Sequence, residues 1–444
     1  MRHILISIVL GTILFFLSST LFTLKQSFLV GIVATLVYLW SSEALPLGVV
    51  SLLPLILFPL FGILDMKSTA PNYSKSIIFL FIGGFLLAIG MQKTFLHQII
   101  ANRLLRFFPK SARGVIYALA VTSATLSAFL SNTTVTIMLV PIALFLTEDP
   151  ALKVRYLLAT AYGASIGGIF TPIGTPPNLI LLGFLEDWNI QEPTFLEWMG
   201  LTIPVVIGML LIVPWFLSLR VKDRDISCAL EPIGELTREQ KKLLLILGTL
   251  VGLLLVNAVF RPLVGWSMNE KILLLGFGLM LFLPGVDILQ WSDTKEMPYE
   301  IVFLFGAGFA IAKAFIQTGL AESIAKEFSV FSGFSLPLLL FIIALFVSFA
   351  TEITSNTALT SIILPILYEF SMQHHFPTPI ILFTATIAAS YAFMLPIATP
   401  PNAIVMSSRV IKIKEMAKIG FWVNLLGVIL VTVVATTVWR VYFG

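Results

Sequence analysis

Long apolar runs alternate with short polar stretches along almost the whole chain, and their lengths predict helices that cross a bilayer. A full crossing takes about 20 residues at 1.5 Å per residue. On that measure spans fall at about 4–23, 28–42, 46–63, 77–92, 156–182, 200–218, 243–259, 272–287, 300–316, 379–408 and 420–440. Two further apolar regions, 115–146 and 336–370, carry polar triplets in mid-run: Ser131-Asn132-Thr133 and Ser355-Asn356-Thr357. The first triplet leaves arms of about 16 and 13 residues, each too short to cross. Short arms with a polar tip predict a re-entrant hairpin, which is tolerated where the tip is buried in protein or lines a cavity. Two tilted crossings, or one long one, are the alternatives.

The two triplets lie 224 residues apart, and so do Thr175-Pro176-Pro177-Asn178 and Thr399-Pro400-Pro401-Asn402. One offset shared by separated motifs indicates an internal duplication with almost no net insertion between the halves. Leu80/Leu304, Gly84/Gly308, Pro141/Pro365, Ala164/Ala388 and Pro172/Pro396 keep the same offset. The halves read as 28–218 and 243–444, joined by a polar linker at 219–242 and preceded by an N-terminal helix within 1–27. Met1-Arg2-His3 ahead of an apolar run resembles the start of a signal peptide. The run has the length of a full span, so the helix is expected to be retained.

Composition sharpens this. The chain is 58% hydrophobic and 11% charged, with a mean hydropathy of +1.00. A soluble domain carries roughly 25% charged residues, so the expected class is an all-α polytopic membrane protein embedded in a lipid bilayer. The pI near 9.0 invites a nucleic-acid reading, but the basic residues are spread over loops between spans and act as topology signals. Cys228 is the single cysteine, which leaves no disulfide framework.

With eleven spans, two hairpins and the N-terminus inside, 19 of the 27 Lys and Arg residues fall on the cytoplasmic side, the bias that orients membrane proteins. Segment 93–113 holds five basic residues and its counterpart 317–337 only Lys326. Segment 409–418 holds four, while 185–194 holds none and carries Glu186 and Asp187. Opposite bias at equivalent positions predicts inverted-topology repeats. The 115–146 hairpin is then expected to enter from the cytoplasm and the 336–370 hairpin from outside, with the C-terminus outside.

Asn and Thr at a hairpin tip offer amide and hydroxyl groups, while the broken helix frees backbone N–H and C=O groups. Helix N-termini suit anions, and freed carbonyls with hydroxyls suit a hard cation such as sodium. Ser127 and Thr351 lie one turn before the tips, placed to aim hydroxyls at them. The double prolines after Gly174 and Ala398 stop helical hydrogen bonding. An unwound helix is therefore expected to face each hairpin, giving two pseudosymmetric half-sites. A single Ser, Thr or Pro often only back-bonds or kinks a helix, and two copies in register argue against that here. No Arg or Lys lies within the four motifs, so burying a dianion there is costly unless mobile cations enter with it. The histidines sit at span ends, which disfavours protons for that role. Glu352, the only carboxylate beside either tip, reads either as a functional group or as a cap. Lys313 is expected to snorkel and Glu43 to be structural.

With these motifs placed, the chain resembles the divalent anion:sodium symporter family, which includes sodium-coupled dicarboxylate and citrate transporters. The resemblance covers nearly the whole chain; the paired Ser-Asn-Thr tips are the family's signature. It implies one sodium ion held by Ser127, Ser131, Asn132 and the backbone at Gly174. It implies a second held by Thr351, Thr354, Asn356 and the backbone at Ala398. The substrate carboxylates would meet Asn132, Thr133, Thr175, Asn356, Thr357 and Thr399, with Pro400 nearby. The resemblance further implies a homodimer in the cell inner membrane whose hairpin-bearing transport domain moves as an elevator against a fixed scaffold. The hydroxyls at Ser127 and Thr351 favour sodium symport, and the duplicated Asn-Thr tips, as two matched carboxylate clamps, favour C4-dicarboxylates. Sodium-independent exchange, citrate and sulfate remain alternatives.

Other classes fit less well. The chain has no His-Glu-x-x-His motif and no paired aspartates inside spans, so an enzyme is not expected. Polar re-entrant tips also build pores, but duplicated clamps favour a carrier over an anion channel.

Overall fold

Helix breaks, more than helix lengths, set the architecture. The computed structural model describes residues 1–219, 221–223, 225, 235–264 and 268–443, with the backbone alone at 259–264. Cys228 and the linker residues Arg220 and Arg224 lie outside the described residues. Regular structure among them is helical, apart from one isolated antiparallel bridge between Ser111 and Asp225.

Among the described residues, six segments are long and apolar enough to cross a membrane as single helices: Leu24–Ser42, Met66–Lys93, Phe195–Ser218, Arg238–Ala258, Tyr299–Gln317 and Ile413–Phe443. The other expected spans are short or interrupted. Arg2–Ser18 is 17 residues long. The 46–63 span is two short helices, Leu47–Leu52 and Pro54–Leu60, because Pro54 has no N–H to continue the first. The 272–287 span stops at Met280 and closes through turns with Gly285 at φ +90° and Asp287 at φ +51°. The 156–182 span divides into Pro150–Phe170 and Pro176–Asp187, and 379–408 into Thr378–Ala389 and Pro400–Ser407. Both polar triplets start helices: Ala112–Ser127 is followed by Asn132–Phe145, and Leu336–Ala350 by Asn356–Gln373.

Small residues bring these pieces close. Gly163 and Gly167, one turn apart on Pro150–Phe170, press against Ala112–Ser127. A Cβ on Gly167 would stand 2.0 Å from the Ala124 carbonyl oxygen, and one on Gly163 2.4 Å from that of Ala120. Close backbone approach of this kind supplies the van der Waals contact that holds helices together in lipid. The main buried core includes Tyr156, Tyr162, Trp198 and Phe383, and a smaller one gathers Leu29, Phe58, Ala307 and Ile366.

Glu186 and Asp187 are ion-paired. Lys271 lies 3.0 Å from Glu186 and 3.2 Å from Glu192, and Lys75 bonds Asp187. These partly exposed pairs link the starts of Ser76–Lys93 and Glu270–Met280 to the end of Pro176–Asp187, and each contributes little net stability. Lys313 donates to the Ser68 carbonyl at 3.2 Å.

Gly167→Ala should therefore lower the melting temperature of the detergent-purified protein, since overpacking costs about 1–3 kcal/mol. Gly252, with nothing within 4 Å of a built Cβ, should accept Ala with an unchanged or higher melting temperature. Equal melting behaviour in the two variants would contradict the close packing.

Candidate functional site

A cavity of about 700 Å³ collects all four motifs. Ser131, Asn132, Thr133, Gly174, Thr175 and Pro176 line one part of it, and Ser355, Asn356, Thr357, Ala398, Thr399 and Pro400 another. Four helices, Asn132–Phe145, Pro176–Asp187, Asn356–Gln373 and Pro400–Ser407, begin at its wall. Their N-terminal N–H groups and dipoles make the parts of the wall they form attractive to anions. Among the described residues no Lys, Arg or His lines the cavity, while Glu43 and Glu300 do.

Behind the first triplet sits a cluster of oxygens. Ser127 is completely buried, and its hydroxyl donates to Asn132 Oδ1 at 2.5 Å. A Cβ built on Gly168 would lie 3.0 Å from Asn132 Oδ1 and 3.1 Å from the Gly174 carbonyl oxygen. Those two oxygens thus converge on the space the missing side chain leaves open. Hydroxyl, amide and carbonyl oxygens together suit a hard monovalent cation. Ser131 caps Asn132–Phe145 instead, its Oγ accepting from the Thr134 N–H at 3.2 Å.

The second triplet repeats the arrangement with changes. Buried Thr351 donates to Asn356 Oδ1 at 3.3 Å and to the Ala389 carbonyl at 3.1 Å. The Thr354 hydroxyl donates back to the Ala350 carbonyl at 2.9 Å, the usual habit of Ser and Thr near helix ends. Thr399 caps its own helix, accepting from the Asn402 N–H, whereas Thr175 makes no such bond.

Sequence reasoning assigned no role to the asparagines that close the Thr-Pro-Pro-Asn elements. Asn178 Nδ2 donates to the carbonyls of Gly168 (3.0 Å) and Thr171 (2.8 Å). Asn402 Nδ2 donates to those of Ala392 (2.8 Å) and Leu395 (3.0 Å). The acceptors keep the 224-residue offset, so each asparagine fixes the same stretch of interrupted backbone. The repeated Asn after each double proline was the available signal. Glu43 was read as structural; it ends Leu24–Ser42 at φ 48° and also lines the cavity. Glu352 is absent from the cavity wall and caps unwound backbone, accepting from the N–H groups of Met394 and Leu395.

Asn178→Ala and Asn402→Ala each remove the side-chain donor to two carbonyls; Thr171 and Leu395 keep a backbone N–H, from Gly174 and Ala398, while Gly168 and Ala392 lose theirs. Each substitution should destabilise the protein by about 1–3 kcal/mol, read as a lower melting temperature. Wild-type melting in both would show that the asparagines do not hold the breaks.

The family model described as a citrate transporter matches residues 37–388. The sodium-dependent dicarboxylate transporter SdcS of Staphylococcus saprophyticus is 32% identical over 97% of this chain and 90% of its own length. SdcS of Staphylococcus aureus is 33% identical over 99% and 92%. Two solved transporters share the fold at 14% identity. Neisseria gonorrhoeae MtrF has a TM-score of 0.60 over 83% of each chain. Alcanivorax borkumensis YdaH has a TM-score of 0.59 over 85% of this chain and 88% of its own. With matches of this extent, the chain belongs to the divalent anion:sodium symporter family of membrane transporters.

Proposed function

We propose that the protein carries C4-dicarboxylates of the succinate, malate and fumarate type into the cell, coupled to sodium. The observation that carries this reading is the convergence of both triplets and both Thr-Pro-Pro segments on one cavity without a cationic side chain. Asn132 and Thr133, with Thr175, would clamp one carboxylate; Asn356 and Thr357, with Thr399 and Pro400, would clamp the other. The names of the relatives, sodium-dependent dicarboxylate transporters, support the substrate class and the coupling ion.

Sodium would sit at the oxygen clusters behind the clamps, at Ser127, Ser131, Asn132 and Gly174 and at Thr351, Thr354, Asn356 and Ala398. Ser131 and Thr354 would act through backbone oxygen, since their hydroxyls serve the helix ends. One cation per half-site balances the two carboxylates, which removes most of the penalty of burying a dianion.

The helix–break–helix pairs at 112–145 and 336–373 would be opposed re-entrant hairpins of two inverted repeats, 28–218 and 243–444. The opposite charge bias of equivalent loops supports this. The N-terminus would be cytoplasmic and the C-terminus outside. Transport would follow an elevator motion of the hairpin-bearing domain within a homodimer in the cell membrane.

Radiolabelled succinate uptake into proteoliposomes tests the reading. An inward sodium gradient should drive accumulation that a potassium gradient does not. Uptake that needs only internal dicarboxylate would make the protein an exchanger. Asn132→Ala and Asn356→Ala should each abolish uptake in folded protein, because each removes a substrate clamp and a sodium ligand together. Thr133→Ala should mainly raise KM. Near-normal uptake by both asparagine variants would overturn the site.

A further inference from the structure

The two half-sites share their motifs but not the means by which their backbones are held. In the first half the helix before the break runs to Phe170. In the second it stops at Ala389, five residues short of the equivalent position. Residues 390–399 are therefore unwound, and those N–H groups that make no backbone bond need other acceptors. Two buried side chains supply them at three consecutive residues. Asn424 Oδ1 accepts from the Phe393 N–H at 3.2 Å. The Glu352 carboxylate accepts from Met394 and Leu395, one through each oxygen, both at 2.9 Å. Asn424 Nδ2 ties the two together, donating to Glu352 Oε1 at 2.7 Å.

Gly420 lies one turn before Asn424 on Ile413–Val434 and lets this helix lie flush against the unwound stretch. A Cβ there would stand 2.0 Å from the Phe393 carbonyl oxygen. That oxygen accepts from the Tyr162 hydroxyl at 2.7 Å. The equivalents of Glu352 and Asn424 in the first half are Ala128 and Gly200. There the Thr171 hydroxyl donates to the Ala128 carbonyl instead, and Gly200 has nothing within 4 Å of a built Cβ.

We infer that Glu352 and Asn424 are positioning residues for the second half-site. They hold residues 393–395 so that the next turn of backbone, Ile397-Ala398-Thr399, lines the cavity. They touch neither the cavity nor the cargo, and they serve one half-site only. The functional part of this inference rests on the sodium-coupled reading above. A carboxylate is suited to the task because it accepts two adjacent backbone N–H groups with charge-assisted strength. An amide offers one oxygen and would set its own N–H₂ against the other donor.

The test compares the parent with Glu352→Gln, Asn424→Ala and Asn257→Ala. Asn257 is a buried residue elsewhere that donates to Glu270, and its variant reports loss of stability alone. Two quantities are read: amide exchange of the 391–399 segment, with and without sodium chloride, and the sodium half-saturation of succinate uptake. Glu352→Gln should speed exchange at 393–395, weaken protection by sodium and raise the half-saturation on the order of tenfold, the worth of one or two charge-assisted bonds. Asn424→Ala should act in the same direction and less strongly. Asn257→Ala should lower the melting temperature without moving either quantity. Unchanged exchange at 393–395 in both Glu352→Gln and Asn424→Ala, or half-saturation within twofold of the parent, would overturn the assignment. If the parent shows no sodium-dependent uptake, the transport reading falls; the exchange arm alone then upholds or overturns the anchoring.

Discussion

A helix interrupted inside a dry interior leaves backbone carbonyls and N–H groups with no water to bond, at a cost of several kcal/mol for each one stranded. Every distinctive feature around the cavity answers that constraint. At the end of Pro150–Phe170, Asn178 satisfies the carbonyls of Gly168 and Thr171, Trp198 that of Ile169 at 3.1 Å, and Thr202 that of Phe170 at 3.1 Å. Four consecutive carbonyls thus find donors from three side chains. In the second half, Thr351, Ser348 and Asn402 do the same for Ala389, Tyr391 and Ala392. Because the protein satisfies the freed groups behind the cavity, those at its wall stay available for a ligand.

Duplication supplies the motifs, and their later surroundings differ. Gly168, the small residue beside the first oxygen cluster, has Ala392 as its counterpart, and the helix holding Gly168 continues past it. The second half gives up that helical segment and replaces its internal bonds with a buried carboxylate and amide. A site on rigid helix ends and a site on anchored coil respond differently to strain. Two similar half-sites need not move or empty together.

Much of this was legible in the sequence, because a shared offset survives even where neighbouring residues diverge. The breaks at 131–133 and 355–357, the unwound segments before the double prolines and the meeting of four motifs all follow from residues whose chemistry acts locally. Proline lacks an N–H wherever it sits, and Asn at a helix start behaves alike in both copies. The number of continuous crossings was not legible. Apolar runs at 46–63 and 272–287 have the composition of spans, and hydropathy does not register how Pro54 or Gly285 divides them. Glu352 was legible as a possible cap, but its partners at 394–395 and 424 were not, because tertiary packing brings them to it. Glu43 ends its helix, as a structural residue would; that its turn also faces the cavity depends on tertiary packing against residues far from it in sequence, such as Asn132 and Asn356.

The charge of the cavity carries the argument one step further. A fixed arginine would bind a dianion more simply than four helix starts and a set of amides. Once the dianion left, that arginine would remain without its partner, and breaking a buried pair in this way costs about 3–5 kcal/mol. A carrier that must return empty would meet that cost in every cycle. Neutral clamps with mobile cations avoid it, because the countercharge departs with the cargo. The acidic side chains at the cavity, Glu43 and Glu300, fit the same logic: they attract cations and repel a dianion that arrives without them. Under the proposed function, the missing fixed countercharge is what makes sodium dependence a physical necessity of the site.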